Sequence, residues 1–130
     1  MKDETRTMIA VYGTLMEGER NHRWAEGCQK RVEGIVRGRI FDTGFGFPMA
    51  AIEGDGKVAV EVYEAGPGDV ARMDRLEGCP NLYRRVRVAV ETAIGTVDAE
   101  MYVPADPERV RTMREIAPGP DGVADWRRNR

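Results

Sequence analysis

The chain has 130 residues, a formal net charge of −2, 42% apolar residues and 32% charged residues. That is enough chain for one domain with a buried core, and it sets up no basic field that would draw it to nucleic acid or to a membrane surface. No apolar run approaches the roughly 20 residues a helix needs to cross a bilayer. The opening Met1-Lys2-Asp3-Glu4-Thr5-Arg6 has no apolar signal region behind it, so the expectation is a cytoplasmic protein, monomeric by default.

The run Thr7-Met8-Ile9-Ala10-Val11-Tyr12 is rich in β-formers and ends at Gly13, which predicts a first strand. Residues 13–19 follow as a loop. Asn21 is placed to cap a short helix through Trp24 to Glu26, closed by Gly27. Residues 32–41 predict a second strand region interrupted at Gly34 and Gly38, and glycines inside strands mark bulges or bends of the kind found in barrels. After a turn-rich stretch at 42–48, residues 49–52 and 57–63 read as two arms of a hairpin around Glu53-Gly54-Asp55-Gly56. In the second arm Val58, Val60 and Val62 alternate with Lys57, Ala59, Glu61 and Tyr63.

The loop Ala65-Gly66-Pro67-Gly68 leads to a helix starting at Asp69, whose carboxylate can accept a first-turn N–H. Gly78 ends this helix and Pro80 cannot continue it. In the next strand Val86, Val88 and Val90 share one face, and Tyr83, Arg85 and Arg87 the other. Ala93-Ile94-Gly95 turns into residues 96–103, where Val97, Ala99, Met101 and Val103 form an apolar face. Asp106-Pro107 opens a short helix with the stripe Val110, Met113 and Ile116. Residues 118–122 break it, and a basic ending runs from Asp125 to Arg130. About six strands, mostly joined by short turns, with two or three short helices, predict class α+β. The expected architecture is a small mixed, mainly antiparallel β-barrel in one domain, 1–130.

Serine is absent, which excludes every serine-nucleophile scheme. Two cysteines, Cys28 and Cys79, and one histidine, His22, are too few for a four-ligand cysteine/histidine zinc site. Neither cysteine stands in a nucleophile motif, and a disulfide is not expected in a reducing compartment. Chemistry is therefore expected to rest on a carboxylate, backbone N–H groups or a tyrosine, with no metal or cofactor.

One carboxylate stands out. At about 100° per residue, Val70, Met73 and Glu77 fall on one helix face, with Asp74 beside them, Leu76 at the flank, and Arg72 and Arg75 pointing away. Partial burial and the negative end of the helix both disfavour an ionised Glu77, as a general base or acid near neutral pH requires. The residues leave a second arrangement open, with Glu77 solvated or paired with Arg84 or Arg85. Likewise Gly13, directly after a strand, allows a sharp turn that presents several N–H groups to an anion, although an ordinary connecting loop has the same composition. Tyr83 and Arg85 share a strand face just beyond Glu77 and can reach a ligand there, or can simply be a surface tyrosine and a solvated arginine. The Arg84-Arg85-Arg87 cluster lacks the basic partners elsewhere that nucleic-acid binding needs.

Taken together, these pieces resemble the gamma-glutamylcyclotransferase-like (AIG2-like) proteins, with most similarity to the gamma-glutamylamine cyclotransferase branch. The resemblance rests on Val11-Tyr12-Gly13-Thr14-Leu15, then Gly18 with Asn21-His22, then Gly38-Arg39-Ile40-Phe41-Asp42 with Gly44 and Pro48. It continues through Glu61-Val62-Tyr63, Met73-Asp74-Arg75-Leu76-Glu77-Gly78-Cys79-Pro80 and Leu82-Tyr83-Arg84-Arg85, to Ala99, Tyr102 and Asp125-Trp126. Val60 replaces a glycine frequent in the family and Glu100 a tryptophan, and both are expected to reshape the pocket wall.

The resemblance implies an enzyme that cyclises a small gamma-glutamyl substrate. The substrate's alpha-amine attacks its own gamma-carbonyl, giving 5-oxoproline and a free amine. Glu77 would be the general base and acid. Tyr12, Gly13, Thr14 and Leu15 would hold the glutamyl part, with Tyr83 closing over it and Arg85 supporting the site. A non-catalytic module binding a small ligand in the same cavity, and a pathway-specific enzyme removing a gamma-glutamyl protecting group, are the alternatives.

Overall fold

Alternating side chains along the long strands build two cores, one on each side of a curved sheet. The computed structural model describes residues 5–129; the opening Met1-Lys2-Asp3-Glu4 and the final Arg130 lie outside the described residues. The strands are β1 (Thr7–Val11), β2 (Gln29–Arg37), β3 (Arg39–Asp42), β4 (Pro48–Ala51), β5 (Lys57–Ala65), β6 (Tyr83–Thr92), β7 (Gly95–Pro104), β8 (Arg114–Glu115) and β9 (Val123–Ala124), with one α-helix, α1 (Pro67–Leu76). Pairing runs β1-β7-β6-β2-β5, and β5 pairs again with β1, which closes a five-stranded barrel. The β1–β7 pair is parallel and the other four barrel pairs are antiparallel; β9 adds to β5 in parallel. The predicted mixed, mainly antiparallel barrel is the architecture found.

The inward residues Ala10, Val58, Val60, Val62, Val88, Val90, Ala99 and Met101 fill the barrel. Their neighbours Ile9, Val11, Tyr63, Ala65 and Tyr102 face outward, and there Met73 of α1 packs on them at 0% exposure. Strand β5 is thus buried on both faces. Among the described residues no helix is long and apolar enough to cross a membrane.

The expected hairpin over residues 49–63 is not formed. Strand β4 pairs with β3, from Arg39 opposite Ala51 to Asp42 opposite Pro48, while β5 pairs with β2 from Gln29 opposite Glu64 to Arg37 opposite Lys57. At Gly38 (φ +154°) the chain swings out of the barrel, and the Gly38 N–H donates to the Gly56 carbonyl at 2.9 Å, closing the excursion at its base. The second sheet, β4-β3-β8, is this excursion. The bend expected at Gly38 is present, and the register irregularity of β2 lies at Lys30–Val32 rather than at Gly34.

Helix α1 starts earlier than Asp69. Pro67 opens it, Gly66 is the N-cap, and the Asp69 carboxylate reaches back to accept the Gly66 N–H at 3.0 Å. Gly78 ends it at φ +64°, as its sequence position predicts. The helices expected at Asn21 and Asp106 are 3-10 turns, His22–Ala25 and Pro107–Thr112, and Asn21 makes no side-chain cap. Ile116 lies beyond the second turn, past β8. The basic ending packs onto the fold: Trp126 and Asp125 are each 6% exposed, and Arg127 pairs with Asp125 at 2.8 Å and Glu61 at 3.2 Å.

Candidate active site

The end of α1 faces the loop that follows β1, and a cavity of about 220 Å³ lies between them. Glu77 caps the helix with its N–H donating to the Met73 carbonyl at 2.9 Å, and its side chain enters this cavity. The carboxyl has no hydrogen bond or ion pair among the described residues. Burial alone pushes its pKa up to about 7. The competing arrangement, a pair with Arg84 or Arg85, is not adopted: Arg84 is exposed, and Arg85 is held by Asp74 at 3.0 Å and by Glu100.

Three tyrosines surround the carboxyl. Tyr12 O–H donates to the Tyr102 carbonyl (2.7 Å), Tyr83 O–H to the Pro48 carbonyl (2.8 Å) and Tyr102 O–H to Asp74 Oδ1 (2.5 Å). Burial raises the pKa of all three, and the charge of Glu77 adds to the rise. They therefore remain phenols, with their protons pointed at protein acceptors. Glu77 is the group on the cavity wall poised to exchange a proton near neutral pH.

Opposite stands the loop 13–16, drawn tight from behind. The Met16 N–H donates to the Gly13 carbonyl at 3.1 Å, the Asn21 N–H to the Thr14 carbonyl at 3.0 Å, and Asn21 Nδ2 to Thr14 Oγ1 at 3.0 Å. His22 Nδ1 lies 2.9 Å from the Leu15 carbonyl, which assigns the proton to Nδ1. The carbonyls are thus engaged on one side. The N–H groups of Gly13, Thr14 and Leu15 are used by no hydrogen bond among the described residues, and all three residues line the cavity. Gly13 must be glycine here, since a Cβ would stand 2.8 Å from the Pro48 ring. Pro48 in turn anchors Tyr83, so loop, β4 and β6 lock together.

Of the residues expected at the site, Glu77, Tyr12, Gly13, Thr14, Leu15 and Tyr83 come together around one cavity. Arg85 does not line it. Its guanidinium sits behind Asp74, which receives Tyr102 O–H, so Arg85 supports a tyrosine at one remove. Nor do Val60 and Glu100 shape the wall: Val60 fills the barrel, and Glu100 takes up Arg85. The sequence does not mark Asn21, His22 or Tyr102 as site residues. Asn21 and His22 lie only seven residues from their partners, but nothing in the sequence says that the loop folds back on them. Cys28 and Cys79 are free thiols.

A carboxyl with a pKa near 7, facing unused backbone donors across a small apolar cavity, can move a proton while N–H groups hold a carboxylate or a developing oxyanion. The family profile described as "Gamma-glutamyl cyclotransferase, AIG2-like" matches residues 9–128. The "Gamma-L-glutamyl-butirosin B gamma-glutamyl cyclotransferase" of Niallia circulans is 36% identical over 102 residues, covering 73% of this chain and 65% of that protein. The gamma-glutamylaminecyclotransferase of Bos taurus is 32% identical over 112 residues, covering 75% of this chain and 65% of that one. The match thus spans just under two thirds of either relative. In three dimensions an AIG2-like protein from Mus musculus superposes with a TM-score of 0.72, at 21% identity, over 92% of this chain and 95% of that one, a likeness of fold. With a profile match over nearly its whole length and these two relatives, the chain belongs to the gamma-glutamyl cyclotransferase, AIG2-like family.

Proposed function

We propose that the protein is a gamma-glutamyl cyclotransferase in which Glu77 moves the protons and the loop 13–15 holds the glutamyl group. The unpaired Glu77 carboxyl, with a pKa of about 7 and facing three unused N–H groups, carries this reading. The nucleophile belongs to the substrate, so the absence of serine from the chain is no obstacle. An alpha-amine has a pKa of about 8, and Glu77 takes its proton. The freed amine nitrogen attacks the gamma-carbonyl carbon, forming the lactam C–N bond and a tetrahedral oxyanion. The attacking nitrogen, cationic once bonded, gives up a second proton, and through Glu77 the leaving nitrogen receives both, so that the original amide C–N bond breaks and the amine departs as an ammonium. The products are 5-oxoproline and a free amine, with no oxidant or co-reactant.

Ring closure is intramolecular, so holding the chain in an attack conformation lowers the barrier by several kcal/mol. Each well-aimed N–H on the oxyanion contributes roughly 3 kcal/mol more. Tyr12, Tyr83 and Tyr102 have their O–H groups turned to protein acceptors, which leaves their oxygens to accept from the substrate ammonium. The test is 5-oxoproline release, by mass spectrometry, from a panel of gamma-glutamyl amines and amino acids with wild type and Glu77→Gln in parallel. Release by wild type alone supports the reading. Equal release by both removes Glu77 from the mechanism, and no release by either removes the reaction.

A further inference from the structure

We propose that Arg20 selects the leaving group, favouring gamma-glutamyl amides whose amine carries a carboxylate close to the scissile nitrogen. This rests on the cyclotransferase reading and adds the substrate class to it.

The ring-forming part of any such substrate must lie between Glu77 and the N–H groups of the loop, whose residues Gly13, Thr14 and Leu15 are buried. The leaving amine must therefore extend outward across the rim. The residues on the rim decide what it can be. Leu76, Leu82 and Phe47 are half-buried and apolar there. Arg20 is exposed, and it is the one basic side chain lining the cavity among the described residues. It also lines the neighbouring cleft, which shares Thr14 with the cavity, so Arg20 borders both.

That guanidinium is positioned without being satisfied. It has no ion pair and no side-chain hydrogen bond among the described residues, although Glu19 and Asp42 line the same cleft. Asp42 is engaged by the Gly44 N–H, Arg114 and Asn129. Instead, the Arg20 guanidinium occupies the space beside Gly46 that a side chain would fill, where a Cβ would stand 2.7 Å from Nη1 and 3.3 Å from both Cζ and Nη2. Gly46 has φ +90° and belongs to a firmly bonded turn. There Thr43 N–H and Oγ1 both donate to the Phe47 carbonyl, at 3.2 and 2.7 Å, and the Phe45 N–H donates to Thr43 Oγ1 at 3.1 Å. The glycine leaves room for the planar group. A guanidinium parked on backbone keeps its fork of donors for a ligand, and a carboxylate fits that fork with two parallel hydrogen bonds. A cationic leaving amine would meet like charge at the same place.

Three amides of matched size test this: the gamma-glutamyl amides of glycine (anionic), glycinamide (neutral) and ethylenediamine (cationic). 5-Oxoproline release gives kcat/KM for each. In wild type the glycine amide should exceed glycinamide by about tenfold or more, the factor expected of a charge-assisted hydrogen bond, with the ethylenediamine amide lowest. Arg20→Gln should level the three, Arg20→Glu should reverse their order, and added salt should shrink the wild-type preference. A flat wild-type profile overturns the proposal. So does an equal loss on all three amides in Arg20→Gln, which would place Arg20 on the glutamyl alpha-carboxylate instead. If wild type releases 5-oxoproline from none of them, the cyclotransferase reading fails. Calorimetric binding of the same amides then decides the role of Arg20: tighter binding of the glycine amide, lost in Arg20→Gln, sustains it, and equal or absent binding overturns it.

Discussion

Among the carboxylates withdrawn from solvent in this fold, Glu61 and Glu77 are treated in opposite ways. Glu61 is 1% exposed in the middle of β5. It accepts from the Glu17 N–H at 2.8 Å and from Tyr63 O–H at 2.9 Å, and it pairs with Arg127 at 3.2 Å and Lys30 at 3.5 Å. It gathers the loop after β1, the start of β2 and the end of the chain onto one strand. Glu77, at the end of α1, has none of these partners, and burial lifts its pKa to about 7. Glu61 is deeper but held on every side, whereas the Glu77 proton can move near neutral pH. Partners, rather than depth, decide whether a buried carboxylate ties the fold together or stands ready for chemistry.

The comparison breaks first if Glu77→Gln still turns over substrate. The amide keeps the shape and removes the proton, so 5-oxoproline release should fall by about 10³-fold, with the circular dichroism spectrum unchanged. Glu61→Gln should do the reverse. It leaves Lys30 and Arg127 without their shared anion and should cost about 3 kcal/mol of stability, read from the urea midpoint. Turnover per folded molecule should fall less than tenfold, since the amide oxygen can still accept the Glu17 N–H.

A third effect of the unpaired Glu77 is read by pH. The folded pKa of Glu77, about 7, lies above the ordinary glutamate value of 4.5. Between those values the folded state binds more protons than the unfolded one. The stability this group contributes is therefore complete below about pH 4.5 and lost as pH rises through 7. Glu77→Gln escapes that loss. It should match wild type near pH 4.5 and exceed it by about 2 kcal/mol at pH 8, after allowance for a partly exposed group. Melting curves at the two pH values check this. In the same range, wild-type kcat/KM should rise with an apparent pKa near 7 as the base form appears.

Much of this contrast is legible before the fold is known, but unevenly. The helical period puts Glu77 on an apolar face, because the helix is local and its period fixes direction. The alternation in β5 shows Val58, Val60 and Val62 as one face, yet places Glu61 with Lys57 on what looks like the solvent side. The groups that close over it are the loop after β1, through the Glu17 N–H, and Arg127, far away in sequence. Strand partners fail for the same reason. The stretch 53–56 has hairpin composition, and only the swing at Gly38 and its bond to Gly56 send β4 to β3. Arg85 looked like a ligand contact because Tyr83 shares its face. The acids that claim it, Asp74 and Glu100, come from α1 and β7.

The smallest expected effects concern the shell that separates Glu77 from those cations. Asp74 is the nearest carboxylate by sequence, and it is the natural control, because it is paired where Glu77 is not. It accepts from Tyr102 O–H and holds Arg85 through two bonds, at 3.0 and 3.2 Å. Asp74→Asn keeps an acceptor for Tyr102 but weakens the hold on Arg85, so turnover should fall about tenfold or less, the cost of one charge-assisted bond. The pH profile should keep its pKa near 7. A loss as deep as that of Glu77→Gln, or a displaced pKa, would make the two carboxylates a coupled pair and end the division between paired and reactive groups. Tyr83→Phe removes the bond to the Pro48 carbonyl and the oxygen proposed to accept from the substrate ammonium, and should lower turnover severalfold. If the Phe variant is unchanged, the ring packing alone positions Pro48 against Gly13, and the hydroxyl has no part in holding the loop.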